Sequence, residues 1–338
     1  VARDERLRRR HHIVPKFHLR RFANTRDMLR RVPLAGGEGH LVSINDATVE
    51  RDFYLVQDVD GQQHDDVEKL LSDVESDAST AVGRVVNQAL WPIDQDTRMA
   101  IVLWAALQLL RTSFQRQVSD EIADVLLKLQ IGAGGKPQLR TMLRRRDGRE
   151  PTDEKVDSLW ATLSDFDSYR IQKSRNAHVS SMLGAWPDMT ALLLMRGWQI
   201  FRFDRKALVT CDNPVTLIAA PDHPTGRGVG VGNAGMILLP LDRRVALVMA
   251  EPGGVDEVLP TSTMVAEAFN GHIVMNAHRA VFHHPEDDPL AGFPLPPARS
   301  TITNAGDRIA DFVFPDGMPP APLPSPTCAD IAGERKGW

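Results

Sequence analysis

A chain of 338 residues with 42% hydrophobic and 25% charged residues has the composition of a folded globular protein, long enough to bury a sizeable core. Its net charge of −4 and its two cysteines, Cys211 and Cys328, argue against a general polyanion binder, a disulfide framework and a thiolate zinc site. No apolar run is long enough to span a bilayer and no leader-like apolar stretch opens the chain, so the expectation is a cytoplasmic protein without a membrane partner.

The first segment is basic: residues 1–31 hold eleven Arg or Lys against three Asp or Glu. Within it, HHIVPKFHLRRFA (11–23) packs His11, His12 and His18 around a bend at Pro15 and adds Arg20 and Arg21. Imidazoles can ligate metals or move protons near neutral pH, and fixed positive charge beside them suits a phosphate or carboxylate ester. Residues 40–56 carry β-branched and aromatic residues and predict a short hairpin around Asn45–Asp46. Residues 64–90 turn helical, with Val67, Leu70, Leu71, Val74, Ala78, Ala81, Val82 and Val85 on one face and Glu68 and Glu75 at its edge.

A second helix, from Asp94 to about Gln117, is apolar nearly all round and is interrupted by Gln108 and Arg111. A third is predicted over Ser119–Gln130, stopping at Gly132, Gly134 and Gly135. Residues 136–149, with six Arg or Lys against one Asp, read as a basic, loop-prone connector. Thr152 can cap a helix starting at Asp153. Helical period runs from about Asp167 to Trp198, broken or kinked at Pro187.

Strand patterns then take over at Trp198–Phe203, Ala207–Thr210 and Val215–Ala219, with a hairpin of Met236–Leu241 and Arg243–Ala250 around Asp242. The alternating glycines of GRGVGVGN (226–233) match neither a nucleotide-phosphate loop nor a dinucleotide fingerprint and predict a flexible loop over a cleft. A helix over Thr261–Asn276 and a strand at Ala280–Phe282 complete the pattern. The prediction is an α+β protein: one domain over residues 1–284, mostly helical over about 60–197, packed with a small antiparallel sheet over about 198–284. Residues 285–338 form a proline-rich tail, extended or disordered, with six prolines in residues 315–327.

Three constellations can carry chemistry. The histidines can hold Zn, Mn or Fe if a carboxylate completes the set, or one of them can act alone as acid or base. Arg111 lies on an apolar helix, and a buried guanidinium needs an anion; Glu75 and Asp212 are the candidates. Cys211-Asp212-Asn213-Pro214 sits at a strand end, where Asp212 can ligate a metal or orient a histidine and Asn213 can hold a substrate oxygen, or where both simply form a turn.

The opening motif resembles that of a bacterial family known as domain of unknown function 4238. So do Gln108-x-x-Arg111-Thr112, Cys211-Asp212-Asn213-Pro214-Val215, and Asn270 followed by Ala277-x-Arg279-Ala280-Val281. These stretches span residues 11 to about 284 in family order. His18 stands where the family has an aromatic residue and Cys211 where it has Ser. The resemblance implies a domain and candidate residues, with no reaction attached.

The expectation is a hydrolase acting on a phosphate-containing substrate, a nucleotide or nucleic acid. His12, Glu75 and Asp212 would be its catalytic groups and the ligands of a divalent metal. Arg111, Asn213, Gln108 and Arg20 would bind the anionic substrate. The alternative is a non-catalytic nucleic-acid- or protein-binding module whose polar motifs form a structural network.

Overall fold

The computed structural model describes residues 9–58, 60–224 and 227–297. The protein is α+β, and the described residues divide into two compact units. One joins the chain up to Gln117 with the chain from Ser174 onward; the other is Val118–Lys173.

The first unit is built on a five-stranded sheet of β7 (Arg196–Arg202), β9 (Thr216–Ala219), β10 (Ala234–Asp242), β11 (Val245–Pro252) and β12 (Glu257–Leu259). Its order is β12-β7-β11-β10-β9. Both faces are buried, so the strands read as continuous apolar runs while their side chains still alternate. Trp198, Ile200, Ile237, Leu239, Leu241, Val245, Leu247 and Met249 pack with α2 (Asp66–Asn87), α3 (Gln95–Leu110) and α6 (Arg175–Leu194). Phe201, Leu238, Ala246 and Val248 share the opposite core with Ala266, Phe269, Ile273 and Val274 of α7 (Thr263–Asn276). Helix α3 is apolar nearly all round because its ring of contacts closes: Trp104 lies in the core shared with α2 and α6 and also meets Phe17 and His18 of the N-terminal arm. Asp94, Ser174 and Ser262 cap α3, α6 and α7 by accepting from Thr97, Ala177 and Val265 N–H groups.

A second sheet, β3-β2-β13-β8, joins β2 (Met28–Pro33) and β3 (His40–Ser43) to β8 (Thr210–Cys211) and β13 (Ala280–His283). Two small pairs complete the unit: β1 (Arg10–His12) with β4 (Val49–Arg51), and β5 (Val56–Gln57) with β6 (Gln63–His64). The split into a helical first half and a sheet-forming second half therefore holds only in part. Strands from the first 64 residues complete a sheet with the end of the domain, and β12 pairs with β7 in parallel. Asn45–Asp46 does turn the chain, but β3 pairs with β2 and β4 pairs with β1, so no hairpin forms.

Three local expectations change for physical reasons. Strand β8 is only two residues long, because the Asn270 side chain takes over the ladder for residues 207–209. Its Oδ1 accepts from Val209 N–H (3.0 Å) and its Nδ2 donates to Ala207 C=O (2.9 Å). The glycine loop is pinned: Arg196 donates to the Val231 and Ala234 carbonyls, and Asn233 bridges Gly228 and Gly230. The segment after β13 begins docked, with Leu290 and Phe293 packed on the core around α7, while the proline-rich stretch 298–338 lies outside the described residues.

In the second unit the helix does not stop at the glycines. Helix α4 (Ser113–Asp147) starts in the first unit and continues to residue 147, with Gly135 at φ 57° making a kink. Pro137 follows within the first turn of the next helical segment, where its missing N–H costs nothing. The basic stretch is thus helical, and Arg140, Arg146 and Lys136 pair with Asp153, Asp147 and Asp157. Leu139 and Leu143 pack on Val156 of α5 (Asp153–Leu163), which Thr152 caps as its sequence predicts. Lys128 is fully buried and donates to Asp124 (2.9 Å) and to the Tyr169 carbonyl (2.7 Å).

Asn270→Ala leaves two buried backbone groups without partners, so urea unfolding is expected to show a loss of about 2–4 kcal/mol. A loss below about 0.5 kcal/mol would mean that water replaces both bonds.

Candidate functional site

The N-terminal arm places its three histidines in three different environments. β1 alternates: His11 turns inward, where its Nδ1 accepts from Tyr54 N–H (3.0 Å), and His12 faces a cavity on the other side. After Pro15 the chain enters the short helix α1 (Lys16–Arg20), which buries His18 completely. The His18 Nε2 lies 2.9 Å from Thr210 Oγ1, and its ring packs 5.3 Å from both Phe22 and Trp104. Burial lowers the His18 pKa to about 3, with the Arg21 and Arg111 charges adding to the effect. Burial also leads at His12, lowering its pKa to about 4 with help from Lys16 and Arg10 and against Asp46. Both rings are neutral at neutral pH.

Arg111 caps the end of α3, its N–H donating to Leu107 C=O. Its side chain is 1% exposed, and Nη1 donates to Glu75 Oε1 of α2 at 2.6 Å. Nε and Nη2 both donate to Gln108 Oε1 at 3.1 Å, and Gln108 Nε2 donates to the Ile13 carbonyl at 3.1 Å. Burial opposes the Arg111 charge, but the Glu75 carboxylate and the Tyr54 hydroxyl outweigh it and raise the guanidinium pKa. The anion demanded by the apolar helix is therefore Glu75, as one of the two sequence candidates.

Glu75 is 26% exposed on its other side, where it lines a cavity of about 790 Å³. One wall of this groove is a polar face of α2: Glu68, Ser72, Glu75, Ser76, Ser79 and Thr80, all at helical spacing. The facing wall is the arm, with Arg10, His12, Lys16, Phe17 and Asn45. Phe17 is held by an edge contact to Trp104 at 5.0 Å. Arg10 pairs with Asp46 at 2.5 Å; Lys16 has no ion-pair partner among the described residues. The hydroxyl row and Lys16 escaped sequence reading, although positions 68, 72, 75, 76, 79 and 80 repeat at the period that placed Glu68 and Glu75 on one edge.

The remaining predicted residues lie elsewhere. Asp212 is not in this groove. Its Oδ1 accepts from His278 N–H (2.8 Å) and its Oδ2 from Arg279 (2.7 Å) and Ala280 (3.3 Å) N–H groups. Burial raises its pKa and these bonds act against that rise. It borders a separate cavity of about 180 Å³ with Glu50, Ser113 and Arg279. Asn213 closes a turn with Asn276, each side-chain amide donating to the other residue's carbonyl. Arg20 pairs through Nε and Nη2 with Asp27 on the surface. The ligand set of His12, Glu75 and Asp212 therefore does not converge, and the described residues contain no cluster of three or more His, Cys, Asp or Glu placed to hold a metal.

His18 gives a pH test with a definite sign. The unfolded chain takes up a proton at His18 below pH 6.5, whereas the folded chain does so only near pH 3, so the folded form loses stability as pH falls through that window. His18→Phe keeps the ring packing and removes this proton. Its unfolding free energy is expected to depend on pH less steeply than wild type by about 1.4 kcal/mol per unit within the window. Identical slopes would show that His18 is not held neutral.

No curated protein and no solved structure shows significant similarity to the chain. The family described as "Protein of unknown function (DUF4238)" matches residues 10–287, from the first strand of the arm to just beyond β13. The match covers most of the chain, and the protein belongs to the DUF4238 family.

Proposed function

We propose that the groove between α2 and the N-terminal arm binds a phosphate ester, and that the protein hydrolyses it with His12 moving the proton. The observation that supports this best is His12 itself. It is a neutral imidazole lining the groove, with Nδ1 enclosed and unpartnered, under the influence of Lys16 and Arg10. With Nδ1 enclosed, Nε2 is the ring nitrogen left for a ligand.

Lys16 and Arg10 both depress the His12 pKa. A phosphate seated against them cancels their field and raises the basicity of His12 when substrate binds. His12 then takes a proton from water as the water oxygen attacks phosphorus. The P–O ester bond breaks, and the leaving oxygen takes a proton from His12 or solvent, giving an alcohol and phosphate. Arg111 is a positioning residue here, because its charge is already met by Glu75. No step runs through a metal, since the residues as placed do not form the expected ligand set.

A second reading, a non-catalytic binding module, is favoured by the buried Gln108–Arg111 pair, which is tied to the Ile13 carbonyl of the arm. Phosphate release from a panel of phosphate esters separates the two. Hydrolysis is expected, with His12→Ala lowering kcat about a hundredfold or more at unchanged Tm. In wild type, kcat/KM should rise with pH through about 4, where free His12 loses its proton, and the kcat limb should lie higher. Equal rates in the variant would remove His12 from the chemistry, and binding without release would favour the second reading.

A further inference from the structure

We infer that the ligand of this groove is a sugar monophosphate and not a nucleic-acid strand. The inference rests on the phosphate-ester reading above and narrows its substrate class.

Charge balance is the first argument. The groove is bordered by two cations, Arg10 and Lys16, and two carboxylates, Glu68 and Glu75. Arg10 already pairs with Asp46, and Arg111 next to the floor is matched by Glu75. What remains without an ion-pair partner among the described residues is one cation, Lys16. A strand carries a phosphate at every nucleotide, and binding of that kind draws on many counterions released by many cations, which one lysine does not supply. A single phosphate needs only Lys16.

The second argument is the chemistry of the α2 wall. Between the carboxylates stand Ser72, Ser76, Ser79 and Thr80, with no alkyl side chain among the groove residues of this helix. Ser72 and Thr80 donate to the carbonyls of Glu68 and Ser76, which leaves their oxygens as acceptors. Ser76 and Ser79 make no side-chain hydrogen bond among the described residues, so they can both donate and accept. A wall of carboxylate and hydroxyl oxygens matches a partner dense in O–H donors. Phe17, fixed by Trp104, adds one apolar ring to the facing wall, against which the C–H face of a sugar can rest. A volume of about 790 Å³ is in the range of small-molecule sites. Phosphate at one end, hydroxyls along the helix and an aromatic contact together describe a phosphorylated sugar.

Titration calorimetry of the full chain tests this with ribose 5-phosphate, glucose 6-phosphate, glucose 1-phosphate, the free sugars, inorganic phosphate and a twelve-nucleotide single strand. At least one sugar phosphate is expected to bind tenfold or more tightly than its free sugar and than inorganic phosphate. Lys16→Met should weaken that sugar phosphate about tenfold and leave the free sugar unchanged. Ser76→Ala/Ser79→Ala should weaken both sugar and sugar phosphate and leave inorganic phosphate unchanged. Failure of every sugar phosphate to bind, tighter binding of the strand, or equal binding of free sugar and sugar phosphate would each overturn the inference. The outcomes also separate it from the broader reading. Hydrolysis of nucleotides without sugar-phosphate binding would overturn only the sugar assignment, and sugar-phosphate binding without hydrolysis would overturn only the catalytic role of His12.

Discussion

A guanidinium that is 1% exposed cannot shed its charge, so the fold around Arg111 must supply an anion and acceptors. It does so from three directions. Glu75 comes from α2, Gln108 from the preceding turn of α3, and the Ile13 carbonyl of the arm is joined through the Gln108 amide. One residue thereby sets the spacing of two helices and the seat of the arm. The groove has α2 as one wall and the arm as the other, so its width is fixed by the same contacts. A buried pair of this kind adds little net stability over apolar packing, but breaking it by removing one partner costs about 3–5 kcal/mol. Its role is in specifying an arrangement.

The motif residues through which the chain resembles its family share this habit of binding backbone. Gln108 holds the Ile13 carbonyl, Asp212 gathers the N–H groups of residues 278–280, and Asn270 completes residues 207–209. Each replaces a ladder bond where the chain leaves or enters a short strand. Two of the four strands of the smaller sheet come from the first 43 residues, and the other two from beyond residue 209. Side chains that stitch such distant segments are structural in effect even when their type suggests chemistry. His12 differs from them: it has a neighbouring groove and an unpartnered nitrogen.

Much of this was legible in the sequence where local rules decide the outcome. The strands β7, β10 and β11, the cap at Thr152, the nearly all-round apolar character of α3 and the need of a buried Arg111 for a carboxylate, with Glu75 one of two candidates, all follow from pattern, capping and charge burial. What escaped depends on distant partners. The pairing of β1 with β4 is set by tertiary contact, since three-residue strands carry no register signal of their own. Asp212 reads equally well as a ligand or a turn former until the N–H groups of residues 278–280 arrive beside it. The glycines at 132–135 look like a stop, but a single positive φ at Gly135 lets two helical segments meet there. The hydroxyl row of α2 escaped too, because only the facing arm turns a polar helix face into a wall.

The central claim is that Arg111 seats the arm. Native-state hydrogen exchange in Arg111→Met measures this directly. The Ile13 amide, bonded to Thr48 C=O, and the Tyr54 amide, bonded to His11 Nδ1, report on the arm, and the paired amides of β10 and β11 report on the sheet. The account predicts that protection at Ile13 and Tyr54 falls tenfold or more beyond any change in the sheet. Unchanged protection at these two amides, or an equal fall across arm and sheet, would contradict it.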